Sequence, residues 1–184
     1  MAVKWVNFGM YEAGWLACVC GAAAGWGGWG AAFAGVLVGL HIFAASERWV
    51  EVRLIATAGI CGLVVDCVLM GAGILKFSEG GLASGFPPIW MTVLWMQFAT
   101  ALRYCLSWMG GRYVVCGLLA FVGAPAAFIG GERMGVVTVC SPALPGLLSL
   151  GLLWSAAIPF LVWLSVRLSG VGAAASYRWT GRGK

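Results

Sequence analysis

The sequence is poor in charge. Only 9% of its 184 residues are Asp, Glu, Lys or Arg, whereas about a quarter of the residues in an average soluble domain are charged. Hydrophobic residues account for 62% of the chain, and the mean hydropathy is +0.96. This composition excludes an ordinary soluble fold and indicates an integral membrane protein. The 29 glycines and 11 tryptophans fit that class, because Gly permits close packing of transmembrane helices and Trp anchors them at the interfaces.

Common catalytic and binding motifs are also missing. The chain contains no GxSxG nucleophile motif, no Walker-type phosphate loop and no GxGxxG motif that follows a strand. A single His and carboxylates at unequal depth make a poor ligand set, so we predict neither a metal nor a cofactor. The net charge of +5 lies in short loops and a tail rather than on a soluble domain. This distribution argues against a nucleic-acid partner.

The seven cysteines form no recognisable set. Their number is odd and their spacing is irregular, which argues against a disulfide framework or a zinc site. Most of them fall in apolar stretches, where Cys behaves as a small hydrophobic residue. They are Cys18, Cys20, Cys61, Cys67, Cys105, Cys116 and Cys140.

Six stretches are long and apolar enough to cross a bilayer, which requires about 20 residues. The first resembles a signal peptide, but Glu12 and several aromatic residues interrupt its core, so we interpret it as a span. We predict an all-α bundle of six transmembrane helices over residues 1–170 and a flexible basic tail over 171–184. Pro125 predicts a broken or tilted fifth helix. The spans are Trp5–Ala24, Trp26–Ala45, Leu54–Leu75, Pro88–Met109, Tyr113–Gly130 and Leu144–Ser165.

Basic residues lie mainly on one side of the predicted bundle. The N-terminus, the second and fourth loops and the tail share a face with eight Lys or Arg, whereas the opposite face has Lys76 and Arg133. Because short cytoplasmic loops are enriched in Lys and Arg, this asymmetry predicts that both termini lie in the cytoplasm. The eight are Lys4, Arg48, Arg53, Arg112, Arg167, Arg178, Arg182 and Lys184. Trp90 and Trp95 predict an interfacial aromatic belt near the start of the fourth span.

Four ionisable residues, Glu12, His41, Asp66 and Arg103, lie within these spans. A charge at membrane depth costs several kcal/mol, so such residues usually face a partner or a wet cavity. At a rise of about 1.5 Å per residue, Glu12 and Arg103 lie ~12 and ~13 Å from the cytoplasmic boundary. On the same scale, His41 lies at ~7 Å and Asp66 at ~20 Å. Glu12 and Arg103 therefore share one level.

The fourth span adds polar side chains on one helical face. Gln97 comes level with Asp66, and either Arg103 or Tyr104 continues the stripe. His41 lies nearer to the cytoplasm, where it would either handle protons or act as a hydrogen-bonded core residue.

We predict that these groups meet in one polar site. Arg103 would pair with Glu12, and Asp66 would bond to Gln97, Thr100 or Arg103. The alternative is structural, because a buried pair of Arg and carboxylate can simply lock helices together. No residue-level match relates the first three spans to the last three, so an inverted repeat is not predicted.

An ordered series of motifs extends over about 150 residues: Gly14-Trp15 with Cys18, His41, Val65-Asp66, PPIWMTVLWMQFATALRYCLSW, GAP at 123–125 and GERMG ending at Gly135. This series resembles an uncharacterised family of small bacterial inner-membrane proteins, known only as a domain of unknown function. The resemblance implies no established activity. Family members are expected near genes for fatty-acid modification, which implies a role with envelope lipids. Gln is common in that family where Glu12 stands, and His is common where Tyr104 stands.

Two functions are compatible with the sequence. The first is an inner-membrane protein whose polar site serves envelope-lipid modification or the handling of a small solute, with membrane lipids as partners. The second is a non-enzymatic accessory subunit, which would associate with other membrane proteins or with itself through Trp-rich and Gly-rich faces.

Overall fold

A computed structural model describes residues 2–81, 83–140 and 142–180, with side chains in α6 described as far as residue 170. Over these residues the chain forms six helices, two short strands and one turn of 3₁₀ helix, so the predicted all-α class is correct apart from the strands. The helices are α1 (Ala2–Ala23), α2 (Gly27–Ala44), α3 (Arg48–Gly71), α4 (Ile89–Leu102), α5 (Tyr113–Arg133) and α6 (Ala143–Thr180). The strands are β1 (Leu75–Phe77) and β2 (Val137–Val139), and the 3₁₀ turn is Ser107–Met109.

Among the described helices, α2, α3, α5 and α6 are long and apolar enough to cross a membrane. This finding supports a helical membrane protein. The fourth predicted span is wrong in its second half, because α4 has only 14 residues and is followed by turns and the 3₁₀ turn. Residues 171–180 of the predicted tail continue the backbone of α6, and 181–184 lie outside the described residues.

Contacts between distant segments define the two ends of the bundle. At one end, Lys4 Nζ donates to Ser107 Oγ (3.2 Å), which brings the start of α1 beside the loop after α4. We call this the terminal end. At the other end, the Gly27 N–H at the start of α2 donates to Glu79 Oε1 (3.0 Å) in the loop after β1. We call this the strand end, because β1 and β2 lie there.

Helices α1 and α2 form a tight antiparallel pair through glycine. Gly30 of α2 lies so close to the Ala17 carbonyl oxygen of α1 that a Cβ atom at Gly30 would overlap it. The turn between the helices uses Gly25 at φ 76°, a left-handed conformation that Gly adopts without steric cost. The close approach replaces bulky side chains with direct backbone contact, as in many membrane helix pairs.

Helix α5 runs unbroken through Pro125, so the predicted break is wrong. Proline removes the hydrogen bond to the carbonyl four residues earlier, which here belongs to Phe121. That carbonyl faces Gly151 of α6, where an added Cβ would lie 2.7 Å from the oxygen. The neighbouring helix thus covers the freed carbonyl, and close packing keeps α5 continuous.

The strands join two similar helix–strand units, α3–β1 and α5–β2. They pair antiparallel, with Leu75, Lys76 and Phe77 opposite Val139, Thr138 and Val137. Equivalent backbone bonds continue the pairing in both directions. Ser78 N–H donates to Val136 O (3.1 Å), and Cys140 N–H donates to Ile74 O (2.8 Å). Each strand thus donates one of these bonds and accepts the other at equivalent positions, which indicates an approximate two-fold axis between the strands.

The turns that precede the strands repeat the same geometry. Gly73 (φ 68°) donates to Met70 O (2.9 Å), and Gly135 (φ 76°) donates to Glu132 O (3.0 Å). Both α3 and α5 run from the terminal end to the strand end. The two units therefore form a parallel repeat with the axis along the helices, a relation that the sequence comparison of the two halves did not reveal.

Gly30→Ala should destabilise the protein by about 1–3 kcal/mol, because the new methyl group must push α1 away from α2. Gly35→Ala is the matched control, since a Cβ at Gly35 meets no atom within 4 Å and Ala favours the helix by about 1 kcal/mol. The measurement is unfolding of both variants in mixed micelles of dodecyl maltoside and SDS. Equal stability of the two variants would contradict the proposed role of Gly30.

Candidate functional site

The structure places the predicted site residues in separate groups. Arg103 pairs with Glu47 and Glu51 rather than with Glu12, so the predicted pair is wrong. Asp66 lies elsewhere and accepts a hydrogen bond from Trp95 Nε1, so its predicted bond to Gln97, Thr100 or Arg103 is wrong. The buried ionisable groups therefore lie at two separate places, one around Arg103 and Glu51 and one at Asp66, and Glu12 belongs to neither.

The first group, the ion cluster, consists of His41, Glu47, Glu51 and Arg103 at the terminal end. Arg103 Nη1 donates to Glu51 Oε1 (2.6 Å), and Arg103 Nη2 donates to Glu47. The other oxygen of Glu51 lies 3.1 Å from His41 Nε2. Glu51 is fully buried, so its charge depends on these two partners. The ion cluster connects α2, α3 and the segment after α4.

Arg103 reaches the ion cluster because α4 ends one residue before it. Asn7 of α1 stabilises that end: its Nδ2 donates to Thr100 O (3.0 Å), and its Oδ1 accepts from the Cys105 N–H (3.4 Å). Arg103 Nε also donates to Ser169 Oγ of α6 (2.9 Å). The depth predicted for Arg103 assumed a continuous helix to Met109, and the early end of α4 explains why that depth was wrong.

His41 and Tyr104 accompany the ion cluster. The two rings meet edge to face, with centroids 5.0 Å apart. His41 is buried and bonded to Glu51, which agrees with the predicted alternative of a hydrogen-bonded core residue. The arrangement gives each carboxylate oxygen of Glu51 a donor, and it links α2, α3 and the end of α4 through charged groups.

The second group surrounds Asp66 near the strand end. Asp66 is fully buried, and its Oδ2 accepts from Trp95 Nε1 (3.0 Å). The Trp95 ring lies directly on Gly62 of α3, where a Cβ would overlap the indole. Asp66 Oδ1 has no hydrogen-bond partner among the described residues. Trp95 is therefore a buried partner of the carboxylate and not part of an interfacial belt.

A second indole stacks on Trp95. The rings of Trp95 and Trp154 have centroids 4.3 Å apart, and Trp154 packs edge-on against Phe128 (6.0 Å). The repeat that equates β1 with β2 also equates Asp66 with Phe128. Trp154 thus faces a phenyl ring where Trp95 faces a carboxylate, and within the described residues its N–H has no acceptor. The two tryptophans meet at the boundary of the repeated units.

Gln97 lies on the opposite side of α4 and packs against α1. Its Nε2 donates to Met10 O (2.9 Å). The Gln97 amide packs directly on Gly14, where an added Cβ would lie 2.6 Å from Nε2. Thr100 Oγ1 donates to the Gln97 carbonyl (2.7 Å). The Gln97 bond attaches α4 to α1, and the Thr100 bond lies within α4. Neither side chain contributes to the site around Asp66.

An apolar cavity of about 420 Å³ lies between α1, α4, α5 and α6, toward the strand end. Trp95 and Trp154 form part of its wall, so the cavity adjoins the second group. Eight of the eighteen lining residues are aromatic and none is charged. The aromatic residues are Tyr11, Trp15, Phe77, Trp90, Trp95, Phe98, Phe128 and Trp154.

The cavity has an open side between α1 and α5. Helix α1 packs on α2 and α4, while α5 packs mainly on α6, which leaves α1 and α5 as facing walls. Ala126, Ala127 and Gly130 line the cavity and are exposed. The cavity therefore opens sideways on the surface between α1 and α5.

Several site residues were not predicted from the sequence. Glu47 and Glu51 belong to the charged segment SERWVEVR, which was interpreted only as a loop. Their spacing of four residues, which places both on one face of a helix, was the available signal. Across the described ranges, no three His, Cys, Asp or Glu side chains converge in a way that would hold a metal ion.

Arg103→Gln should cost about 3–5 kcal/mol of stability, because it leaves the buried Glu51 carboxylate without its cation. Arg167→Gln removes an exposed Arg that lies 5.1 Å over the Trp163 ring, and it should cost at most about 1 kcal/mol. Unfolding of each variant in mixed micelles measures the difference. Similar losses in the two variants would show that the ion cluster does not carry this stability.

Trp95→Phe should destabilise the protein by about 1–3 kcal/mol, because it removes the donor from a buried carboxylate. Trp15→Phe changes the same ring type in the same cavity wall without breaking a described hydrogen bond. The same unfolding measurement should therefore show a smaller effect. A larger loss for Trp15→Phe would exclude the indole–carboxylate bond as the main contribution.

The chain matches a protein family over most of its length. The match covers residues 4–160, and the family is described as a protein of unknown function. No curated protein and no solved structure matches the chain. The resemblance to an uncharacterised family is thus confirmed, and the chain belongs to the family DUF2878.

Proposed function

We propose that this protein binds a membrane amphiphile, with the apolar part of the ligand in the cavity between α1, α4, α5 and α6. The cavity itself is the observation that carries the proposal. Its volume of about 420 Å³ falls within the range of about 300–1,000 Å³ that is usual for ligand sites. Its aromatic walls suit a hydrocarbon chain or ring system.

Lateral access supports a ligand that comes from the bilayer. The exposed small residues of α5 leave room for a chain to pass between α1 and α5. Such a site would serve either modification of envelope lipids or the handling of a small apolar solute. Trp95 forms part of the cavity wall, and Asp66 lies behind it and would hold the indole in place.

The proposal includes six membrane spans with the terminal end in the cytoplasm of a bacterial inner membrane. Arginines at the terminal end lie over aromatic rings, at 5.0 Å for Arg48 on Phe43 and 5.9 Å for Arg112 on Trp108. Paired Arg and aromatic side chains suit the membrane interface. The excess of basic residues supports the cytoplasmic side.

A non-enzymatic accessory subunit is the second candidate function, and the outward face of α2 favours it. Large apolar side chains follow each other at alternating spacings of three and four residues, which forms one continuous stripe. They are Trp26, Trp29, Phe33, Val36, Leu40 and Phe43, all exposed. This candidate predicts co-purification with a partner at fixed stoichiometry, whereas a solitary homogeneous particle would contradict it.

Gly130→Trp should block ligand binding, because the new ring would project into the cavity from a position where a Cβ meets no atom within 4 Å. The measurement is photolabelling in nanodiscs with a phospholipid that carries a diazirine on its acyl chain. In the wild type we expect labelled peptides from α5 around residues 126–131 and from α1 around Trp15. In Gly130→Trp this labelling should fall at least about fivefold, since an indole occupies much of the space for one chain.

Gly35→Trp is the control for this experiment. It makes the same change on the outward face of α2, where a Cβ also meets nothing within 4 Å. Cavity labelling should stay at the wild-type level in this variant. Equal labelling in the wild type and in Gly130→Trp would overturn the proposed function.

A further inference from the structure

We propose that Glu12 is the counter-ion for a cationic amphiphile, with the ammonium group at Glu12 and the apolar part in the aromatic cavity. This inference rests on the proposed function, because it names the class of ligand that the cavity takes. The ligand would be a primary or substituted alkylammonium compound. An aminolipid and a free lipophilic cation share this chemistry.

Glu12 lies near the middle of α1 and is half-buried. Within the part of the chain that the structure describes, it makes no hydrogen bond and no ion pair. Ionisable residues within membrane spans normally have a partner or face a cavity. Arg103, its predicted partner, is bound to Glu47 and Glu51. Lys4, two turns earlier on α1, is bound to Ser107.

The same face of α1 leads from Glu12 into the cavity. Trp15 and Val19 follow Glu12 by three and seven residues, the spacings that share one helical face. Both residues line the cavity. They lie ~4.5 Å and ~10.5 Å further along the helix. A ligand whose head binds Glu12 would therefore have its body beside these two side chains.

The chemistry of the wall fits a cation better than an anion. No lining residue is charged, and the wall includes Tyr11 and Trp15, the aromatic neighbours of Glu12 on α1. Aromatic faces attract ammonium groups through their negative quadrupole. A carboxylate with aromatic neighbours thus forms a complete site for an ammonium head, whereas Glu12 would repel a head that carries only negative charge.

Competition for the photolabel tests the proposal in nanodiscs. The competitors are dodecylammonium and dodecanol, which have the same chain and differ in charge. In the wild type, dodecylammonium should compete at least about tenfold better, as expected for a close charge pair. In Glu12→Gln the two competitors should become equal, while competition by dodecanol stays as in the wild type.

Glu79→Gln is the charge-matched control, because this carboxylate lies in the loop at the strand end and binds the Gly27 N–H. It should preserve the tenfold preference. A preference that persists in Glu12→Gln would overturn the proposal, as would an equal loss of competition by dodecanol. Failure of both competitors, together with unchanged labelling of Gly130→Trp, would instead contradict the proposed function.

A second arm identifies the source of the ammonium group. Diazirine phosphatidylethanolamine and diazirine phosphatidylglycerol are compared in the wild type and in Glu12→Gln. Stronger labelling by the ethanolamine lipid that requires Glu12 would support an aminolipid. A Glu12-dependent preference seen only with dodecylammonium would support a free lipophilic cation. Stronger labelling by phosphatidylglycerol would overturn the proposal.

Discussion

The ion pair between Arg103 and Glu51 constrains much of the terminal end of the bundle. Glu51 is fully buried, and a buried charge without a partner is strongly destabilising. Arg103 must therefore reach α3, and it does so from the turn that follows Leu102. The short α4, the Asn7 bonds that complete its end and the Ser169 contact from α6 all belong to this arrangement. The ion pair between Arg103 and Glu51 thus determines where the apolar helix α4 ends.

At the strand end, the structure depends on the repeat of the units α3–β1 and α5–β2 and on the differences between them. The units α3–β1 and α5–β2 share their turns and exchange equivalent bonds across the strands. Their cores differ, since a carboxylate in one unit corresponds to a phenyl ring in the other. The stacked Trp95 and Trp154 meet where the units join. The cavity lies beside this junction, where α1 covers one side and none of the described helices fills the gap to α5.

The sequence predicts the class and several helices well. The bounds of α1 and α2 differ from the predicted spans by a few residues, because Gly25 marks the turn between two apolar runs. The end of α4 was not predictable from hydropathy, since residues 103–109 remain largely apolar apart from Arg103 and Ser107. The burial of Glu51 was also not predicted, because a charged residue next to a loop normally lies in water. Its burial depends on Arg103, which is distant in sequence, and periodicity carries no information on such pairs. The same limit applies to the bond between Asp66 and Trp95.

The position of the opening has a thermodynamic consequence. Phe77 of β1, Val137 of β2 and the preceding Val136 line the cavity, so the strand pair covers the end that would face water. In the proposed function, a ligand would reach its site by diffusion within the bilayer, and its two-dimensional concentration in the lipid would set the occupancy. Apparent affinity on an aqueous scale would include the partition coefficient of the ligand, which rises about fourfold with each added methylene group at ~0.8 kcal/mol. A longer chain would therefore gain occupancy even where the protein makes no additional contact with it.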